Sequence, residues 1–229
     1  MRVSDSNYYT LRRLHSLTGV VPIGAFLLEH FYTNSQAVRG AAAFNHAAAE
    51  IAGIPYVQVL EVLGIGLPIL FHMVLGVLIA TTMQANLPHY RHGRNLSYWM
   101  QRVTGLFLVL YITFHVWSTR FSPEVLRGDG DLFGLMQRHL QNPAILAFYI
   151  LGVLAACYHF GNGLFGFAVH WGIATGRRAQ RHAARLAMAV FVLLALVGIN
   201  ALLAFVGHDL KWFQRGTDTT AMRAIETAR

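Results

Sequence analysis

An all-helical membrane bundle of five spans is the fold class this sequence predicts, on three observations. Only 12% of the 229 residues are charged and 55% are hydrophobic, whereas soluble domains carry about 25% charged residues. Apolar runs long enough to cross a bilayer, about 20 residues each, fall at 14–33, 57–83, 101–121, 143–174 and 185–207. Basic residues gather in alternate connections. Arg2, Arg12 and Arg13 precede the first run, Arg91, Arg94 and Arg102 lie in or beside the second connection, and Arg177, Arg178, Arg181 and Arg185 occupy the fourth. The opposite connections hold Arg39, Arg120, Arg127 and Arg138, diluted by Glu50, Glu124, Asp129 and Asp131. The positive-inside rule then puts the N-terminus in the cytoplasm and the C-terminus outside. Residues 1–207 form a single five-span domain with no room for a separate soluble one, and 208–229 read as a solvated tail on the outer side.

The elements follow in order. Span one carries Pro22, Glu29 and His30 and no small-residue cleavage site follows it, so it is not a removable signal peptide. Span two enters from outside near Pro55 and carries Glu61 and His72. Span three begins with "QRVTG" and places His115 five residues before Arg120. Span four enters from outside at Pro143 and carries Gly152, His159 and Gly163, and span five follows the basic 177–185 segment. The net charge of +8 is thus a topology signal rather than a nucleic-acid footprint. The lone Cys157 excludes a disulfide framework, a cysteine-rich iron–sulfur site and a C-x-x-C-H haem attachment.

Ionisable side chains inside a membrane default to functional sites. Four of the twelve histidines, His30, His72, His115 and His159, lie well inside the spans. His30 and His115 sit roughly 6–8 Å from the outer ends of their helices, and His72 and His159 about 25 Å in from the outer side, at 1.5 Å per residue. They resolve into an outer and an inner pair. Their contexts repeat: Gly19 precedes His30 by eleven residues and Thr104 precedes His115 by eleven, while Gly76 and Gly163 each follow an inner histidine by four. Small residues on a histidine's face let a flat ligand approach the backbone. Two neutral imidazoles from different helices at one depth are what a bis-histidine haem requires. Two such pairs would stack two haems across the bilayer. Rings that merely hydrogen-bond between helices would explain one histidine more easily than four at matched depths. A single zinc or iron cluster fits two separated pairs poorly. His15 and His170, near the inner helix ends, are the rival ligands, and His170 lies eleven residues after His159 on the same face. The remaining histidines lie in loops or near helix ends.

The stretches "RRLHSLTGVVPIGAFLLEHF", "QRVTG…FHVW" and "FYILGVL…HFGNGL" resemble the five-helix, dihaem cytochrome b anchor subunit of succinate:quinone oxidoreductases, over roughly residues 8–206. Three departures stand out: Phe165 where a Trp is usual, Glu29 beside a histidine where a Gln is usual, and a tail after His208 that runs beyond the family pattern. The resemblance implies two b haems, held by His72 and His159 on the inner side and by His30 and His115 on the outer. It further implies a quinone, commonly menaquinone, and flavoprotein and iron–sulfur partners on the cytoplasmic face of a bacterial inner membrane. Electrons from succinate would pass through those partners and the haems to the quinone. No flavin-binding glycine fingerprint occurs in this chain, so succinate chemistry would belong to a partner.

Haem propionates need cationic or hydroxyl partners, for which Arg13, His15, Ser16, Arg102 and Thr104 at the inner side are the candidates. Quinone reduction also consumes protons. Glu61, eleven residues before His72 and roughly 16 Å further out on α-helical counting, is the candidate proton carrier; Glu29, Asn45, His46 and Glu50 are weaker ones. Two other functions remain open on the residues alone. One is the cytochrome b subunit of a hydrogenase or formate dehydrogenase, with its catalytic partner outside. The other is a haem-free anchor or transporter whose histidines serve packing or proton relay.

Overall fold

The computed structural model describes residues 5–82, 93–128, 130–208 and 210; within these it is helical, with no strand. The first apolar run is interrupted. Helix α1 (Asp5–Val20) gives way at Val21 to α2 (Pro22–Ser35), because Pro22 lacks an N–H and fits only a first helical turn. A 3-10 turn (Gln36–Arg39) ends this arm, and α3 (Ala41–Ala52) follows as a short outer helix.

The second run begins with one turn, α4 (Val57–Val59), and widens into a π-helical segment over Leu60–Gly66 before continuing as α5 (Leu67–Thr81). Pro68 accounts for the widening. It has no N–H for the carbonyl four residues back, and its ring crowds that carbonyl, so the preceding turn takes up the mismatch. Helix α6 (Gly93–Ser118) is next, then two outer helices, α7 (Pro123–Arg127) and α8 (Leu132–Leu140). Helices α9 (Pro143–His170) and α10 (Arg177–Ala204) complete the bundle.

Among the described residues, four stretches are long and apolar enough to cross a membrane: Asn7–Arg39, Val57–Thr81, Pro143–His170 and Arg177–Ala204. The expected third span is α6, about 39 Å long at 1.5 Å per residue. Its inner part, with Arg94, Asn95, Gln101 and Arg102, is too polar for it to join those four by composition. Helix α9 is the hub. It packs on α10, α6, α1 and α8, while α5 leans on α1 and α6. Small residues allow this: Cys157 is fully buried, and a Cβ on Gly152 would collide with the Tyr111 ring.

The outer end is capped on one side, which sequence reading missed. Asn45 on α3 accepts from the Phe133 amide (2.9 Å) and donates to Asp131 (3.1 Å). Phe44, Phe133 and Phe205 meet ring to ring at 5.0–6.2 Å. The apolar spacing of 132, 133, 135, 136 and 140 behind Asp131 is the amphipathic signal that marks α8. The C-terminal tail from 208 onward lies, apart from His208 and Leu210, outside the described residues; the buried Asn200 amide pairs with the Leu210 backbone at 2.6 and 3.0 Å.

Candidate functional site

The four span histidines come together as two pairs. His72 on α5 and His159 on α9 have ring centroids 6.1 Å apart with planes at 82°. His30 on α2 and His115 on α6 are 5.8 Å apart at 79°. His170, the rival to His159, is exposed at the inner end of α9, and it is His159 that faces His72.

Each inner ring rests in a seat built from the same five-residue pattern. The His72 Nδ1 donates to the His15 carbonyl (2.9 Å), with Thr18 Oγ1 3.5 Å away. The His159 Nδ1 donates to the Gln101 carbonyl (3.0 Å), with Thr104 Oγ1 3.3 Å away. In both seats the threonine hydroxyl is itself spent on a backbone carbonyl, of His15 or Met100. A glycine closes each seat. A Cβ on Gly19 would meet His72 Cε1 at 2.6 Å, and one on Gly105 would meet His159 Cε1 at 2.9 Å, both closer than real carbons approach. The segments "HSLTG" and "QRVTG" are therefore equivalent seats: a carbonyl, a threonine three residues on and a glycine four residues on.

The chemistry of the seats is definite. A carbonyl can only accept, so Nδ1 carries the ring proton and Nε2 keeps its electron pair for a metal. Carbonyl-to-imidazole bonds of this kind orient metal-binding histidines and raise their basicity. The outer pair is held differently: His115 Nδ1 lies 3.3 Å from the hydroxyl of buried Tyr149, which also contacts Ser118 Oγ at 3.4 Å.

The two seats differ in their first residue. The His15 ring stacks on His72 at 3.9 Å and 14°. Gln101 instead donates from its side chain to the His159 carbonyl (3.0 Å) and accepts from Asn162 (2.7 Å). The other expected glycines stand behind these groups. Gly76 faces His15 Nε2 (3.1 Å from a built Cβ) and Gly163 faces the Gln101 amide (3.6 Å).

Buried polar atoms without a hydrogen-bond partner, among the described residues, fall at the inner end. They are Arg13 Nε, His15 Nε2, Ser16 Oγ, Arg102 Nε and Trp171 Nε1. Arg13 lies over the Trp171 ring at 4.0 Å and Arg102 over Tyr98 at 3.3 Å. An N–H or hydroxyl left unpaired away from water is costly, so a cluster of them marks where an acceptor-rich ligand belongs. Trp171 was not anticipated. Its one signal is an indole at the end of an apolar run, which is as readily an interfacial anchor.

At the outer end, Glu61 accepts from Arg120 at 3.0 Å. The interval from Glu61 to His72 spans the π segment, so α-helical counting does not carry across it, and Glu61 reaches α6. The weaker outer candidates lie elsewhere. Glu29 accepts from Thr33 (2.5 Å), His46 and Glu50 face each other in the open at 3.8 Å, and Asn45 belongs to the cap.

The comparisons with known proteins agree with this architecture. The family described as succinate dehydrogenase/fumarate reductase transmembrane subunit matches residues 78–199, a stretch holding His115, His159, Thr104 and Gly105. The chain belongs to that family. It is similar to the succinate dehydrogenase cytochrome b558 subunit of Bacillus subtilis (strain 168), with 43% identity over 204 residues, 89% of this chain and 100% of that relative. A succinate dehydrogenase/fumarate reductase transmembrane subunit with four such apolar stretches is a multi-pass protein of the bacterial inner membrane. It is the membrane anchor of a succinate:quinone oxidoreductase.

Proposed function

We propose that this anchor carries electrons from an iron–sulfur partner on the cytoplasmic face to a membrane quinone, of the menaquinone class by resemblance, with two b haems held by the two histidine pairs. The observation that carries the reading is the paired seating of neutral imidazoles. Two metal–nitrogen bonds of about 2 Å set ring centres about 6 Å apart, which is the spacing of both pairs. The orphaned donors at the inner end suit the two carboxylates of a haem, and Arg is the side chain best shaped for them.

When bound, the haems supply one-electron carriage, and bis-imidazole ligation leaves no open iron position for oxygen chemistry. The chain's residues do the rest. The His15 and Gln101 carbonyls fix the tautomer of the inner ligands. Tyr149 orients His115. Arg13, Ser16 and Arg102, with His15 and Trp171, would hold the inner carboxylates. Helix α6 serves as the fifth span, its polar inner part joining the basic cytoplasmic face, with the N-terminus on that side. The flavoprotein and iron–sulfur subunits dock there. Glu61 at the outer end carries protons to the quinone.

Redox difference spectra of the purified complex test this. The intact complex shows two b haems per anchor. His72→Leu and His159→Leu each remove the inner haem, and His30→Leu and His115→Leu the outer one. Two full haems surviving any of the four would refute the assignment of that pair.

A further inference from the structure

The outer cap leaves one side of the bundle open. Helix α3 packs on α2, the 3-10 turn and α8, and α8 packs on α9. The Glu61–Arg120 pair is not part of this cap; it bridges the π segment and the turn after α6. Exposed apolar side chains neighbour it in sequence: Val59, Val62 and Leu63 beside Glu61, and Trp117 and Phe121 beside Arg120. Just before the π segment, Tyr56 holds a left-handed backbone (φ 58°), a conformation that bulky residues adopt only under constraint.

The pair is not explained by stability. Its side chains are 47% and 38% exposed, and ion pairs this open contribute little once two long side chains have been immobilised. What the pair fixes is position. The π segment breaks the helical register ahead of Pro68, and π turns recur at functional sites. Arg120 is the group that sets where the Glu61 carboxylate points, and the exposed apolar side chains beside both residues suit the approach of an amphipathic ring with an apolar tail from lipid.

We propose that Arg120 is the positioning residue for Glu61, so that the two form one proton-delivery unit for the quinone. The inference rests on the reading of Glu61 as a proton carrier. Each quinone takes two electrons, supplied by succinate oxidation in the partner subunits, and two protons, which Glu61 passes in turn from outer water to the quinone oxygens. Arg120 accepts no proton. It keeps the carboxylate aimed between transfers, as a fixed guanidinium does for a carboxylate partner.

The test uses the whole complex with a water-soluble quinone, and compares Glu61→Gln, Arg120→Gln and the double variant. Haem content and succinate-driven haem reduction serve as controls. Arg120→Gln is expected to lower kcat about tenfold with little change in KM, with both haems still present and reducible. The double variant, which leaves no unpaired charge, is expected to be no worse than Glu61→Gln alone. Normal kcat in Arg120→Gln overturns the proposal, as does a double variant in which the two losses multiply, since independent roles behave so. Should Arg120→Gln fail to assemble, Arg120→Lys takes its place: it keeps the charge but not the forked geometry, and an unchanged kcat there overturns the proposal. A silent Glu61→Gln defeats the underlying reading instead, whatever Arg120 does.

Discussion

At the residue scale, the sharpest feature is the contact between a glycine and an imidazole in each inner seat. Gly19 and Gly105 are needed for close approach, since any side chain would occupy the space of His72 or His159. Gly19→Val and Gly105→Val should each displace one inner ligand and lower inner-haem content at least about fivefold while leaving the outer haem in place. Quantified b-haem spectra check this, and an equal loss of both haems would show general misfolding instead. The histidines themselves were legible in the sequence, because depth follows from residue counts along a helix. The identity of each glycine's partner was not. Gly19 shares a periodicity with His30 on its own chain segment, yet it touches His72 on another helix, and the break at Pro22 separates it from His30. Gly105 was overlooked although the repeated Thr-Gly dipeptide at 18–19 and 104–105 marks the correct alignment of the two seats.

At the element scale, the outer cap shows what a carboxylate does outside the membrane. Asp131 caps α8, accepting from the Gly134 amide at 2.9 Å and from Asn45. Those hydrogen bonds hold its carboxyl below the ordinary carboxylate range. A depressed folded value means the stabilisation is fully present above the unfolded pKa, about 4, and is lost as pH falls through the lowered folded value. Hydrogen exchange across 132–140 should therefore accelerate below about pH 4 in the wild type, while Asp131→Asn should flatten that dependence. The π segment is the element that sequence counting could not place. Pro68 was visible, but whether a proline kinks, ends or widens a helix depends on how its neighbours resatisfy the backbone. That choice redirects Glu61 to Arg120.

At the scale of the whole molecule, chemistry and charge divide by side. The orphaned donors and the arginine-rich connections share the inner end, while the outer end is closed by aromatic packing on one flank and open at Glu61 and Arg120 on the other. Four of the five expected spans followed from hydropathy. Helix α6 shows the limit of that reasoning: it pairs His115 with His30 and seats His159, and the polar residues that make the seat lower its apparent suitability for lipid.

The carbonyl seats also bear on biogenesis. Both inner imidazoles are locked in tautomer and direction by backbone groups, whereas the outer pair relies on a single longer contact to a phenol hydroxyl. A receptor whose groups are already aimed loses less freedom when it captures its guest. In cells starved of haem, partly loaded anchors should therefore carry their single haem between His72 and His159. Spectra of such preparations, compared with those of the His30→Leu variant, would show the same species, making the inner site the first station of assembly.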